Sequence, residues 1–161
     1  MVALLLPALY VAIALHHPEL LNRTLLLILA ESEETAPLSL TTEAIGILLV
    51  YEIIREAGLR LPQAVGGAVS IVAGLIVGDA AVSSGLISTP MLTVTAISVI
   101  AGFVIPDLNP PISILRLAFV LAGGMGGLFG ISLLGAAVLF HICAAQNHGF
   151  PLTAPVAPFR K

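Results

Sequence analysis

Four ionisable residues stand in stretches that are otherwise strongly apolar: Glu52, Arg55, Glu56 and Asp79. Glu52 and Glu56 are one helical turn apart with Arg55 between them, so the three can neutralise one another on a helix. The trio is either a solvated face lying at a membrane interface or a polar stripe lining a pore or a cleft between subunits. Carboxylates facing water in a pore attract cations, as acidic rings do in cation channels. Asp79 is the sole ionisable group between Val65 and Ile87. A charge at mid-bilayer costs at least about 2.5–3.5 kcal/mol on insertion scales, so Asp79 is expected to be paired, protonated or turned to a wet cavity. It either handles an ion or ligand, or makes a structural hydrogen bond to Arg116 or a neighbouring Ser or Thr.

Other chemistries find no footing. An intramembrane aspartyl protease needs a second membrane aspartate, and Asp107 sits in a Pro-rich turn. His141 and Cys143 project about 200° apart on a helix, and His148 lies beyond its end, so convergent metal ligation is not expected. His16-His17 before Pro18 reads as an interfacial helix end. Asn22-Arg23-Thr24 matches a glycosylation sequon, a frequent triplet. There is no P-loop, dinucleotide fingerprint or GxSxG elbow, hence no expected cofactor and no expected enzyme. The six Lys/Arg are scattered and the net charge is −3, which excludes a nucleic-acid footprint. A single cysteine, Cys143, rules out an intrachain disulfide.

The elements that position these residues follow from composition. Of 161 residues, 58% are hydrophobic and 9% charged, against roughly 25% charged in soluble domains. Such a chain cannot cover its surface with polar groups, and the class is an all-α, polytopic integral membrane protein. With about 20 apolar residues per crossing, residues 1–15 read as a first span cut short at its start, and 16–41 as an interfacial or extramembrane loop holding a short helix, Leu20–Ala30. Residues 43–59 read as an amphipathic helix: with Glu43 at zero, Glu52, Arg55, Glu56 and Arg60 fall between about 120° and 260°. Glu43 itself lies opposite, in the first turn, where a carboxylate favours the helix dipole. Further spans are expected over 65–87, 91–105 and 113–145, then an extended tail, 147–161. The last span is roughly 50 Å long if straight, so it must tilt, extend or kink, with Gly123–Gly127 the natural weak point. Gly74-xxx-Gly78 and Gly126-xxx-Gly130 have the spacing that lets helices approach closely, within the bundle or between subunits. Four or five crossings are expected in total. Arg23, Arg60, Arg116 and Arg160-Lys161 do not segregate to one side, so charge sets no orientation.

Ordered blocks of residues resemble the GerA family of spore germination proteins. They are Leu6 to Ala12, His17-Pro18-Glu19-Leu20, Ala68 to Val72 with Gly74 and Gly78, Ala80-Ala81-Val82, Gly85 to Ser88, Phe103 with Pro106, the Arg116 helix, Gly127 to Ile131, His141 and Gly149-Phe150-Pro151. Most specific is Arg55-Glu56-Ala57-Gly58-Leu59-Arg60-Leu61-Pro62, in which Arg55, Glu56, Gly58, Arg60 and Pro62 carry the motif. The resemblance covers nearly the whole chain. It implies the membrane part of a germinant receptor A subunit, in the inner membrane of a bacterial spore. Such a subunit is a homo-oligomer in the lipid bilayer that conducts ions or transmits a signal, beside a transporter-like B subunit and a lipoprotein C subunit. The family's A subunit adds a large soluble domain before the first span and a hydrophilic tail, so this chain is expected to be a fragment of a longer one, a mis-called start or a divergent copy. The family has a neutral polar residue such as Gln where Asp79 stands. A non-conducting assembly scaffold is the alternative; a small secondary transporter would need related halves, which the sequence does not display.

Overall fold

The computed structural model describes residues 2–102, 109–144, 146–147 and 150–151. These form six α-helices: α1 (Val2–His16), α2 (Arg23–Thr35), α3 (Leu40–Arg60), α4 (Gln63–Ser83), α5 (Thr89–Gly102) and α6 (Asn109–Ala144). A 3-10 turn, Pro18–Leu20, precedes α2, and a two-residue antiparallel pairing joins β1 (Gln146–Asn147) to β2 (Phe150–Pro151). The end of the expected 91–105 span, Asp107, His148 and the tail beyond residue 151 lie outside the described residues.

The core is organised around α1. A helix apolar on every face is buried when it can be, and Ala8, Val11 and Ala12 are wholly covered. Around them pack Leu40, Ala44 and Leu48 of α3, Met91 of α5, and Phe119, Val120 and Ile131 of α6. Pro7 lies inside α1 and has no N–H to give the Ala3 carbonyl one turn earlier. That carbonyl accepts instead from Ser98 Oγ of α5 at 2.7 Å and from Arg116 Nε of α6 at 2.7 Å. One defect in α1 thereby ties three helices together at a buried point.

Helix α3 begins three residues before the Glu43 start expected, because the Ser39 hydroxyl caps it, accepting from the Thr42 amide at 3.4 Å. After Leu61 and Pro62 the chain doubles back as α4. The two helices approach closely where both lack a side chain: a methyl group on Gly66 would strike the Gly58 carbonyl, and one on Gly58 the Ser70 hydroxyl. Helix α4 ends at Ser83 rather than at Ile87. Gly85 adopts φ 70°, and the amides of Gly85 and Leu86 donate to the carbonyls of Val82 and Ala81, a Schellman stop.

The expected break in α6 falls at Gly127, with φ 57° and ψ −143°. It is sharper than a kink. A Cβ on Gly130 would strike the Ala122 carbonyl, and one on Gly123 would lie 3.3 Å from Ile131 Cδ1. In a straight helix residues 122 and 130 would be about 12 Å apart. The sequence-based picture of one tilted or kinked rod is therefore replaced by two arms folded against each other, each roughly 26 Å long.

Among the described residues two stretches are long and apolar enough to cross a membrane, Val65–Ser83 and Pro111–Ala144; Ala3–His16 and Thr89–Gly102 are apolar but shorter. By length and composition that is fewer than the four or five crossings expected. Helix α2 continues through the acidic residues that the sequence placed beyond a helix ending at Ala30. Helix α4 is peripheral: it packs on α3, and Ile71 and Leu75 are 74% and 73% exposed.

Candidate functional site

The charged residues of α3 divide into two pairs by their spacing. Arg55 bonds Glu52, three residues back, in a half-buried pair. Arg60 reaches Glu56, four residues back, with Nε at 3.0 Å and a terminal nitrogen at 2.8 Å. The second pair is exposed, and such pairs contribute about 0.3–0.5 kcal/mol. They face different surroundings. Glu52, Glu56 and Arg60 border a shallow outer depression with Ile53 and Ala57, whereas Arg55 turns inward beside Tyr51. Arg116 lies near enough to Tyr51, Glu52 and Arg55 to interact with them electrostatically.

Asp79 does not join this group. It is exposed on α4 and makes no hydrogen bond or ion pair among the described residues. The partner suggested from sequence, Arg116, is committed to the Ala3 carbonyl. The four packing glycines also separate. Gly130 makes a close backbone approach and Gly78 an ordinary contact with Leu92, while Gly74 and Gly126 meet nothing within 4 Å. The close contact of Gly58 with Gly66 follows no GxxxG spacing, whereas Gly123, whose added Cβ would lie 2.8 Å from the Ala8 carbonyl, has Gly127 four residues on. The Gly-Leu-Arg-Leu-Pro sequence of the turn was the available signal for the first pair.

Between α3, α4 and α5 lies a cavity of about 800 Å³, within the range of small-molecule sites. Its walls are apolar apart from Arg55, Tyr51, Ser70 and Thr95. Thr95 is 2% exposed, and neither its hydroxyl nor the Arg55 Nε finds a hydrogen-bond partner among the described residues. Thr95 carries no sequence signal, since a lone Thr in an apolar helix is unremarkable until its neighbours are known.

Glu43 sits deeper than its sequence position implies. It is 1% exposed, and its Oε2 accepts from the Ser88 amide at 3.0 Å and the Ser88 hydroxyl at 2.8 Å. Its Oε1 has no partner among the described residues. The first-turn position supplies the favourable helix dipole, while the two Ser88 donors tie the start of α3 to the turn entering α5. His17 Nδ1 pairs with Glu19 Oε1 at 3.2 Å on the surface. His141 and Cys143 are exposed, and no metal-binding group of three or more His, Cys, Asp or Glu occurs among the described residues.

Comparison with known proteins places this arrangement. The profile of the Bacillus/Clostridium GerA spore germination proteins matches residues 1–161. The chain is 38% identical to Spore germination protein KA of Bacillus subtilis, over 98% of this chain and 29% of that protein. It is also 38% identical to Spore germination protein GerLA of Bacillus cereus, over 98% of this chain and 32% of that protein. A third relative, the Bacillus subtilis "Uncharacterized membrane protein YfkQ", is 38% identical over 99% of this chain and 32% of its own length. The chain thus spans about a third of the length of these relatives. No solved structure matches. With the family profile covering every residue and the Arg55–Pro62 block seated at the α3–α4 turn, the chain belongs to the GerA spore germination protein family.

Proposed function

We propose that the chain is the membrane region of a nutrient germinant receptor A subunit, which triggers spore germination as an oligomeric ion-conducting or signal-transmitting element. The observation that carries this reading is the family match together with two charged residues buried inside an apolar helical bundle, Arg116 and Glu43, and the half-buried Glu52–Arg55 pair at its edge. Groups of this kind mark ion paths or switches in membranes, because they are costly to keep there without a role. The exposed apolar faces of α4 and α6 support a lipid setting. On this reading the chain crosses the spore inner membrane more than twice, with α1, α5 and both arms of α6 lying within the bilayer. It works beside a transporter-like B subunit and a lipoprotein C subunit, without cofactor or catalysis. Glu52 and Asp79, which share no hydrogen bond or ion pair among the described residues, contribute to a cation path assembled between protomers.

The test is potassium efflux from liposomes holding the full-length subunit with its partners. Glu52→Gln and Asp79→Asn should each lower the flux several-fold; unchanged flux in both sinks the pore assignment. A non-conducting scaffold is the second reading, supported by Gly126, whose face meets nothing within 4 Å. Loss of assembly in Gly126→Leu, with normal flux in the complexes that still form, favours the scaffold.

A further inference from the structure

We infer that the cavity between α3, α4 and α5 holds one acyl chain of an anionic phospholipid, with the lipid's oxygen-bearing head at Arg55 and its tail along α4. Three observations converge on this occupant.

Charge comes first. Among the described residues Arg55 is the single charged one lining the cavity, and no carboxylate lines it. A zwitterionic guest such as a free amino acid would leave its ammonium group unpartnered there, whereas an anionic amphiphile would not. Arg55 is held from behind by Glu52 through a terminal nitrogen, which leaves the buried Nε without a partner among the described residues. The Thr95 hydroxyl is a second buried group without a partner among the described residues, on the α5 wall of the same cavity. Unsatisfied buried groups of this kind are costly, and a rotation of either side chain at the cavity wall would turn it toward the ester or phosphate oxygens of a guest.

Shape comes second. The α4 wall runs from Gly66 to Gly78, which a helical rise converts to about 18 Å. One leaflet of hydrocarbon is about 15 Å deep. A lipid tail fits that length, and Gly67 and Gly74 keep the trough clear, since neither has a neighbour within 4 Å of an added Cβ.

Access comes third. Helix α4 is the peripheral helix, with Ile71, which lines the cavity, and Leu75, which does not, both largely exposed. A guest can therefore enter sideways from the bilayer. Arg55 lies near the α3–α4 turn, where a headgroup would reach the membrane boundary while its tail follows the wall.

The chain supplies its own reporter. It has no Trp and two tyrosines, of which Tyr51 lines the cavity and Tyr10 packs against the core. The full chain with Tyr10→Phe is placed in phosphatidylcholine nanodiscs, and phosphatidylglycerol brominated along its chains is titrated in. Tyr51 fluorescence should be quenched saturably, at a mole fraction roughly tenfold lower than with brominated phosphatidylcholine. Arg55→Gln should shift the midpoint upward by about tenfold, for loss of one charge-assisted contact. Gly74→Leu, which fills empty space rather than striking the chain, should abolish the saturable phase while melting like the parent. Equal quenching by the two phospholipids overturns the proposal, as does a saturable phase that survives Gly74→Leu. Quenching by brominated stearate without quenching by phosphatidylglycerol also overturns it, in favour of a free fatty acid. The readout is independent of ion flux, so failure here and failure of the pore assignment are separate results.

Discussion

Where α6 meets α1 and folds on itself, Gly123 and Gly130 let backbones touch: a Cβ on the first would lie 2.8 Å from the Ala8 carbonyl, and one on the second would strike the Ala122 carbonyl. Along α4, Gly67 and Gly74 have nothing within 4 Å. The same residue type closes one interface and leaves another open. Around the closed seam the core is continuous, through Ala8, Val120 and Ile131. Around the open one lies the cavity beside Arg55. Glycine spacing marks where close approach is allowed, and the neighbouring chain decides whether it happens. Lipid offers helices no hydrophobic drive to close every such face.

The sharpest way to break this contrast is to add side chains to both regions. Gly130→Val should destabilise the fold by about 3 kcal/mol or prevent folding, since its neighbour is backbone and cannot turn aside. Unfolding in detergent, followed by helical circular dichroism, measures it, and a near-neutral result would mean the α6 arms do not pack as described.

A smaller effect tests the polar tie across the closed region. Arg116→Met removes one of the two donors to the Ala3 carbonyl and should cost about 1–2 kcal/mol. Pro7→Ala would give that carbonyl an ordinary helical partner, so the Arg116→Met penalty should shrink in its background. A double-mutant cycle reads the coupling. Strict additivity would show that the carbonyl orphaned by Pro7 is not what Arg116 serves.

The smallest effect belongs to the open face. Gly74→Ala adds a methyl group in empty space and relieves a helix of glycine's entropy cost, so it should be neutral or stabilising by up to about 1 kcal/mol. Destabilisation would mean that this face is already closed by another chain.

The charged motif residues were legible in the sequence as a group on one helix face, and they do share α3. What the sequence left open was their pairing. Glu52 with Arg55 and Glu56 with Arg60 both satisfy helical spacing, as do other combinations, and the choice depends on which side chain faces α4 and α5. Glu43 was placed correctly in a first turn, yet its burial depends on Ser88, which is 45 residues away. The break at Gly127 was legible as a weak point, but its angle was not, since clustered glycines permit many bends.

Local composition by itself determined that this chain is helical, too apolar for a water-covered surface, interrupted at Pro62, weakened at Gly123–Gly127, and a member of its family through an ordered set of short blocks. Those properties depend on each residue and its near neighbours along the chain. The tertiary structure alone decided that α6 doubles back, that Arg116 serves the Ala3 carbonyl rather than Asp79, and that α3, α4 and α5 leave a cavity beside Arg55. These are contacts between residues far apart in sequence, selected by which polar groups would otherwise stay unsatisfied and which backbones can touch.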